Sequence, residues 1–129
     1  MNDVTAPVGP DIQFQRHLAD GRFMIQRGVT SGTPVFYPRT VAPGTGEALE
    51  WFEASGRGTV HSFTIVRKRP PEPSIAIGLI DLDEGVRMMS RIEDADAEAV
   101  HIGMPVKARI IAREDEHLVV FVPAAEAAR

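Results

Sequence analysis

The chain has 129 residues, 43% hydrophobic and 25% charged, a balance that fits one compact domain with a small appendage and excludes wholesale disorder. Its 14 Lys and Arg against 18 Asp and Glu give a net charge of −4, so it lacks the general positive field of a nucleic-acid binder. The absence of cysteine excludes disulfides and thiolate chemistry, and no apolar run reaches the roughly 18 residues that a membrane-spanning helix requires.

Met1 to Pro10 is polar and proline-containing, with no charged-then-apolar leader pattern, so a loose arm and a cytoplasmic protein are expected. Ile12, Phe14 and Leu18 then recur at helical spacing, with Asp11 placed to cap and Gly21 to stop, which predicts an amphipathic helix over Asp11 to Ala19. So short a helix is marginal alone, so its apolar stripe must dock on this domain or on a partner. Arg22 to Gln26 reads as a short strand. Gly28 to Gly46 follows with little periodicity, and a stretch of that length inside a compact protein needs a reason. It holds two turns, near Thr30-Ser31-Gly32 and Pro43-Gly44-Thr45-Gly46, separated by an extended segment in the layout of two ribbon knuckles.

From Trp51 the chain is β-rich. Trp51 to Val66 reads as one long strand, with Gly56 and Gly58 marking a bulge or sharp coil. Arg67 to Pro73 is a loop with three prolines and three basic residues. Ser74 to Leu82 and Val86 to Ile92 flank the turn Asp83-Glu84-Gly85 as a hairpin. Glu93 to Val100 is a short helix or loop, and Met104 to Ala112 alternates as a half-exposed strand. Glu114-Asp115-Glu116 turns into His117 to Val122, and Pro123 to Arg129 is expected to fray. Five strand runs with a kinked first strand fit a five-stranded Greek-key barrel, with a small open β-roll as the competitor.

Few residues carry chemistry. His17, His61, His101 and His117 are scattered, with no pair at metal-ligand spacing. The acidic clusters Asp81/Asp83 and Glu114-Asp115-Glu116 fall in turns, where carboxylates are solvated rather than driven apart in pKa. Ser31 lacks the strand-turn-helix elbow of a serine nucleophile, and Gly56-Arg57-Gly58 precedes no helix that would cradle a phosphate. The run Arg67-Lys68-Arg69 is the strongest candidate for meeting a phosphate, against the simpler reading of a solvated loop. Trp51, Phe63 and few other aromatics make a thin stacking platform for single strands.

Together these segments resemble a known family. The residues are Phe23 to Gly32, Tyr37-Pro38-Arg39, Ala42 to Gly46 and Leu49-Glu50-Trp51, followed by Ser55 to Thr64, Ile80 to Arg87 and Ile102 to Val106. Their order and spacing are similar to the acyl-CoA-associated group catalogued as domain of unknown function 35, a rubredoxin-like zinc ribbon followed by an OB-fold. The resemblance implies a mainly β chain: an N-terminal arm and helix over 1–23, a degenerate ribbon over 24–50 and a five-stranded OB barrel over 51–129. Where the family's ribbon carries two Cys-x-x-Cys pairs, this chain has Gly28 and Ser31, then Ala42 and Thr45. Four such positions cannot supply the ligands of a structural tetrahedral zinc, so no metal is expected. Order in the ribbon is then expected to come from its turn glycines, from Pro34, Pro38 and Pro43, and from burial of Phe36, Tyr37 and Trp51.

The resemblance further implies a non-catalytic accessory subunit of a thiolase-like or other acyl-CoA-processing enzyme, with no cofactor of its own and a CoA thioester as the candidate ligand. Phe14 and Leu18 are expected at the partner interface, and Arg39, Trp51, Arg67, Lys68 and Arg69 at the partner or the CoA. For Arg39 and Trp51 the structural alternatives are a ribbon ion pair and a barrel plug. An isolated chain with an exposed helix face is expected to be able to form a homodimer. Two other readings remain: a nucleic-acid-binding OB module, and a stand-alone enzyme acting on CoA thioesters.

Overall fold

A computed structural model describes residues 9–124, so most of the expected loose arm and the end of the fraying tail (1–8 and 125–129) lie outside the described residues. Helix α1 (Pro10–Ala19) starts on Pro10, whose missing N–H costs nothing in a first turn. Asp11, expected to cap the helix, instead lies within its first turn, where its charge complements the helix dipole. The helix ends through Gly21 at φ +79°. The Gly21 N–H donates to the Leu18 carbonyl (2.8 Å) and the Arg22 N–H to that of His17 (2.9 Å), the bond pair of a Schellman stop.

Three strands form the first sheet: β1 (Met24–Gly28), β2 (Pro34–Val35) and β3 (Leu49–Glu53), in the order β2-β1-β3 and all antiparallel. The long strand expected over Trp51 to Val66 is therefore two strands. β3 pairs with β1 along its whole length, from Met24 opposite Glu53 to Gly28 opposite Leu49. The expected division between residues 50 and 51 falls inside β3. An alternating pattern identifies a strand but not its partner, and Gly56 at φ +81° is where the chain turns from one sheet to the other.

The second sheet closes on itself. Strands β4 (Arg57–Val66), β5 (Ile75–Leu82), β6 (Arg87–Ile92), β7 (Pro105–Arg113) and β8 (Glu116–Pro123) make a barrel in the order β4-β5-β6-β8-β7. Pairing of Gly58 with Val106 joins β4 to β7, and Ile92 meets Phe121 in parallel between β6 and β8. This is the five-stranded OB arrangement, and its closure rules out the open roll. The bulge in β4 lies between Val60 and Ser62 rather than at the glycines. Gly58 serves close approach instead: a Cβ there would stand 2.7 Å from Ile80 Cγ2 and 2.9 Å from the Asp81 carbonyl oxygen. Between β6 and β7 a single 3-10 turn (Ala97–Ala99) starts on Asp96, whose carboxylate accepts from the Glu98 N–H.

Inward side chains alternate along β5, where Ala76, Ile80 and Leu82 are buried, and they meet Val60, Val106 and Phe121. Leu18 from α1, Phe23 and Ile25 join the same core, so helix, ribbon and barrel share one apolar interior. Phe14 packs edge-on to Phe23 and Phe36 and stacks on Trp51. The expectation that Phe14 and Leu18 face a partner is thus corrected: Leu18 is 1% exposed, Phe14 is half-buried, and Ile12 is the large apolar residue that the helix leaves outward, at 51%.

Candidate functional site

The ribbon's two turns are built alike. In the first, the Gly32 N–H donates to the Gly28 carbonyl; in the second, Gly46 does the same to Ala42, both at 2.9 Å. The Gly28 N–H reaches the Thr33 carbonyl (3.0 Å) as the Ala42 N–H reaches that of Glu47 (2.9 Å). Gly32 and Gly46 take φ +73° and +74°. The Thr33 N–H donates to Ser31 Oγ (3.1 Å), as the Glu47 N–H does to Thr45 Oγ1 (3.3 Å). Four matched features make Gly28 equivalent to Ala42, Ser31 to Thr45 and Thr33 to Glu47, which are the two knuckles of a ribbon.

The equivalence breaks at one side chain. Glu47 reaches across to the first knuckle, where Oε1 accepts from the Thr30 N–H (2.8 Å) and the Ser31 N–H (3.0 Å). Its Oε2 accepts from Ser31 Oγ (2.7 Å), with Thr45 Oγ1 at 3.4 Å. These bonds, the Ser31 hydroxyl first, hold the Glu47 carboxyl below the usual range. A tetrahedral zinc does not fit this donor set. Gly28 and Ala42 offer no ligand atom, and Ser31 Oγ and Thr45 Oγ1 already face the carboxylate.

Arg39 stands where the ribbon meets the barrel. Its backbone is fixed by Gln26, 4% exposed on β1: the Gln26 side chain accepts from the Arg39 N–H (2.7 Å) and donates to its carbonyl (2.9 Å). The Arg39 guanidinium is exposed and makes no ion pair among the described residues, so the expected ribbon ion pair is absent there. It borders two hollows. One, of about 480 Å³, runs between the knuckles and the start of β6 and is lined also by Phe36, Glu47, Val86 and Arg87. The other, of about 260 Å³, holds Trp51 with Gln13, Gln26 and Thr40. Trp51 lies on β3 in the ribbon sheet, not inside the barrel as a plug. Its indole N–H donates to Gln13 Oε1 (2.8 Å), and the His17 ring sits 5.0 Å away.

Arg67, Lys68 and Arg69 are elsewhere. They follow Val66, which pairs with Ile75, whereas the ribbon meets the barrel beyond Leu82, where the Ser55 N–H donates to Glu84. Eight residues of β5 separate these ends, about 26 Å at strand spacing. The fold brings Arg39 and Trp51 together and leaves the basic loop apart. Arg67 is paired with Glu98; Lys68 and Arg69 are exposed, with no ion pair among the described residues.

Several contributors escape a reading of the sequence. Glu47 is one, although the signal is present: residues 21–46 contain no Asp or Glu, so it is the first acid after Asp20 and sits two places past the second knuckle. Gln15 is another, its side-chain amide exchanging hydrogen bonds with both the N–H and the carbonyl of His117 (2.9 Å each), so that α1 finishes the edge of β8. The Tyr37 hydroxyl similarly accepts from the Met89 N–H on β6 (3.2 Å). On the outer face of β4 to β6, Arg87 pairs with Asp81 (2.6 Å) and holds its carboxyl below the usual range, with His61 3.4 Å from the same carboxylate.

Residues 51–110 match the family model described as the C-terminal OB-fold domain of ChsH2. A DUF35 domain-containing scaffold protein of Methanocaldococcus jannaschii is 32% identical over 104 residues, covering 75% of this chain and 74% of the relative. The chain belongs to the DUF35 family. The 3-oxo-4,17-pregnadiene-20-carboxyl-CoA hydratase alpha subunit of Mycobacterium tuberculosis is 40% identical over 79 residues, covering 58% of this chain, which spans only 25% of that subunit's length. Among solved structures, a chain of the Ltp2-ChsH2(DUF35) aldolase aligns with a TM-score of 0.81 and 26% identity, over 93% of this chain and 98% of that one. A DUF35 protein from Sulfolobus solfataricus shares the fold, with a TM-score of 0.66 and 17% identity over 95% of this chain and 89% of its own.

Proposed function

We propose that this chain is a non-catalytic accessory subunit that partners a thiolase-like or other acyl-CoA-processing enzyme in the cytoplasm. The observation that carries this reading is the end-to-end likeness to a chain of the Ltp2-ChsH2(DUF35) aldolase, whose name joins a DUF35 chain to an aldolase. Scaffold and hydratase-subunit relatives point the same way. Apolar surface for a partner is on offer: Ile12, Tyr37 and Met89, each more than half exposed, border a groove of about 450 Å³ between α1, the ribbon and the barrel. The same surface would let the isolated chain pair with itself. Among the described residues no helix is long and apolar enough to cross a membrane.

Arg39 and Trp51, at the junction, are the proposed contacts to the partner or to a CoA thioester that it holds. Arg67, Lys68 and Arg69 are a second, separate basic contact, in which the Arg67 side chain is already paired with Glu98. No zinc or other cofactor is assigned to the chain. Purification of a tagged chain co-expressed with an untagged thiolase-like enzyme tests the reading. A stoichiometric complex is expected, weakened by Arg39→Ala with the fold intact. Elution of the chain alone, with the enzyme's turnover indifferent to its presence, would contradict it.

A further inference from the structure

The ribbon has two matched knuckles and one unmatched carboxylate between them. We propose that Glu47 has taken over the structural work of the ribbon's metal, so that a single side-chain anion closes one knuckle on the other. The device belongs to the fold itself and stands independently of which partner the chain serves.

Three observations converge on it. The first is the donor count. Two backbone N–H groups of the first knuckle and the Ser31 hydroxyl aim at the two oxygens of one carboxyl, with the Thr45 hydroxyl at the edge of reach. Successive N–H groups in a turn make a concavity that suits an anion, and only a carboxylate brings enough acceptor sites to satisfy all of these donors. The second is the broken symmetry. Thr33 and Glu47 occupy equivalent places, yet only the longer, acidic residue reaches from its own knuckle into the other.

The third is Gly28. It lies in a regular strand with an ordinary φ, so no turn requires a glycine there, and a glycine inside a strand weakens it. What requires it is space. A Cβ at position 28 would stand 2.5 Å from Glu47 Oε2 and 2.6 Å from Ser31 Oγ. A cysteine at this position and the carboxylate at its present place are therefore mutually exclusive. The carboxylate thus lies in the space that a side chain at position 28 would need, and a larger residue there would push it aside.

Amide hydrogen exchange on the full chain, without added metal, tests the proposal. In Glu47→Ala the Thr30 and Ser31 amides are expected to exchange at least about tenfold faster, while barrel amides at Val60, Ile80 and Phe121 keep their protection. Glu47→Gln should fall between wild type and Glu47→Ala, because its carbonyl can still meet the two amides while its NH2 turns to the hydroxyls. The glutamine variant also keeps the side chain's size, so it serves as the test if the alanine variant does not fold. Unchanged protection of Thr30 and Ser31 in the folded variants would overturn the proposal. So would a loss of that protection in the wild-type chain on adding a metal chelator.

Discussion

Gln26 shows at the scale of one residue how side-chain hydrogen bonds hold the ribbon's path. Buried on the central strand of the sheet, it supplies both partners for the Arg39 backbone and so sets where the guanidinium stands. Gln26→Leu keeps the volume but strips the partners from that N–H and carbonyl, at a cost of about 1–3 kcal/mol. A shift in the urea midpoint at unchanged m-value would measure it, and no shift would mean that water replaces both bonds. Gln26 does not stand out in the sequence, and Glu47 does so only as the first acid after Asp20, which does not say what it reaches. A polar residue in a strand reads as its exposed face, and the local candidates for replacing zinc are glycines, prolines and aromatics. The vacated positions, Gly28, Ser31, Ala42 and Thr45, are legible and prove equivalent in pairs, but the acid that reaches in from two residues beyond is not. Of the aromatics expected to order the ribbon, Phe36 does pack against the core, whereas Tyr37 is 53% exposed and contributes through its hydroxyl.

At the scale of elements, α1 is legible and its purpose is not. Spacing of Phe14 and Leu18 gives a helix with an apolar stripe, but the pattern is the same whether the stripe meets this chain or another. Here Phe14 lies on the ribbon's aromatics, Leu18 enters the shared core and Gln15 completes the edge of β8, so one short helix clasps both sheets. Truncating the buried Leu18 to alanine should cost about 2–5 kcal/mol and loosen ribbon and barrel together. Equilibrium unfolding followed both by Trp51 fluorescence, which reports the ribbon, and by far-ultraviolet dichroism would show one coincident transition. Separate transitions would mean that α1 belongs to the ribbon alone. The barrel strands are legible because each alternates with period two between turn signals, and β5 is the clearest case. The assignment of β3 to the ribbon is not, since pairing partners lie outside any local pattern.

For the whole molecule, the account is of a DUF35 chain whose two parts share one core and whose ribbon keeps its knuckled path on hydrogen bonds. The OB barrel needs no metal by construction; the ribbon normally would. A structural zinc contributes about 10–16 kcal/mol in small metal-bound folds, so dependence on one would be unmistakable. The most direct measurement is the melting temperature of the purified chain before and after exhaustive dialysis against a strong chelator. Identical melting curves are expected, with no metal in the protein before dialysis. A fall of more than about 5 °C, restored by adding zinc, would contradict this.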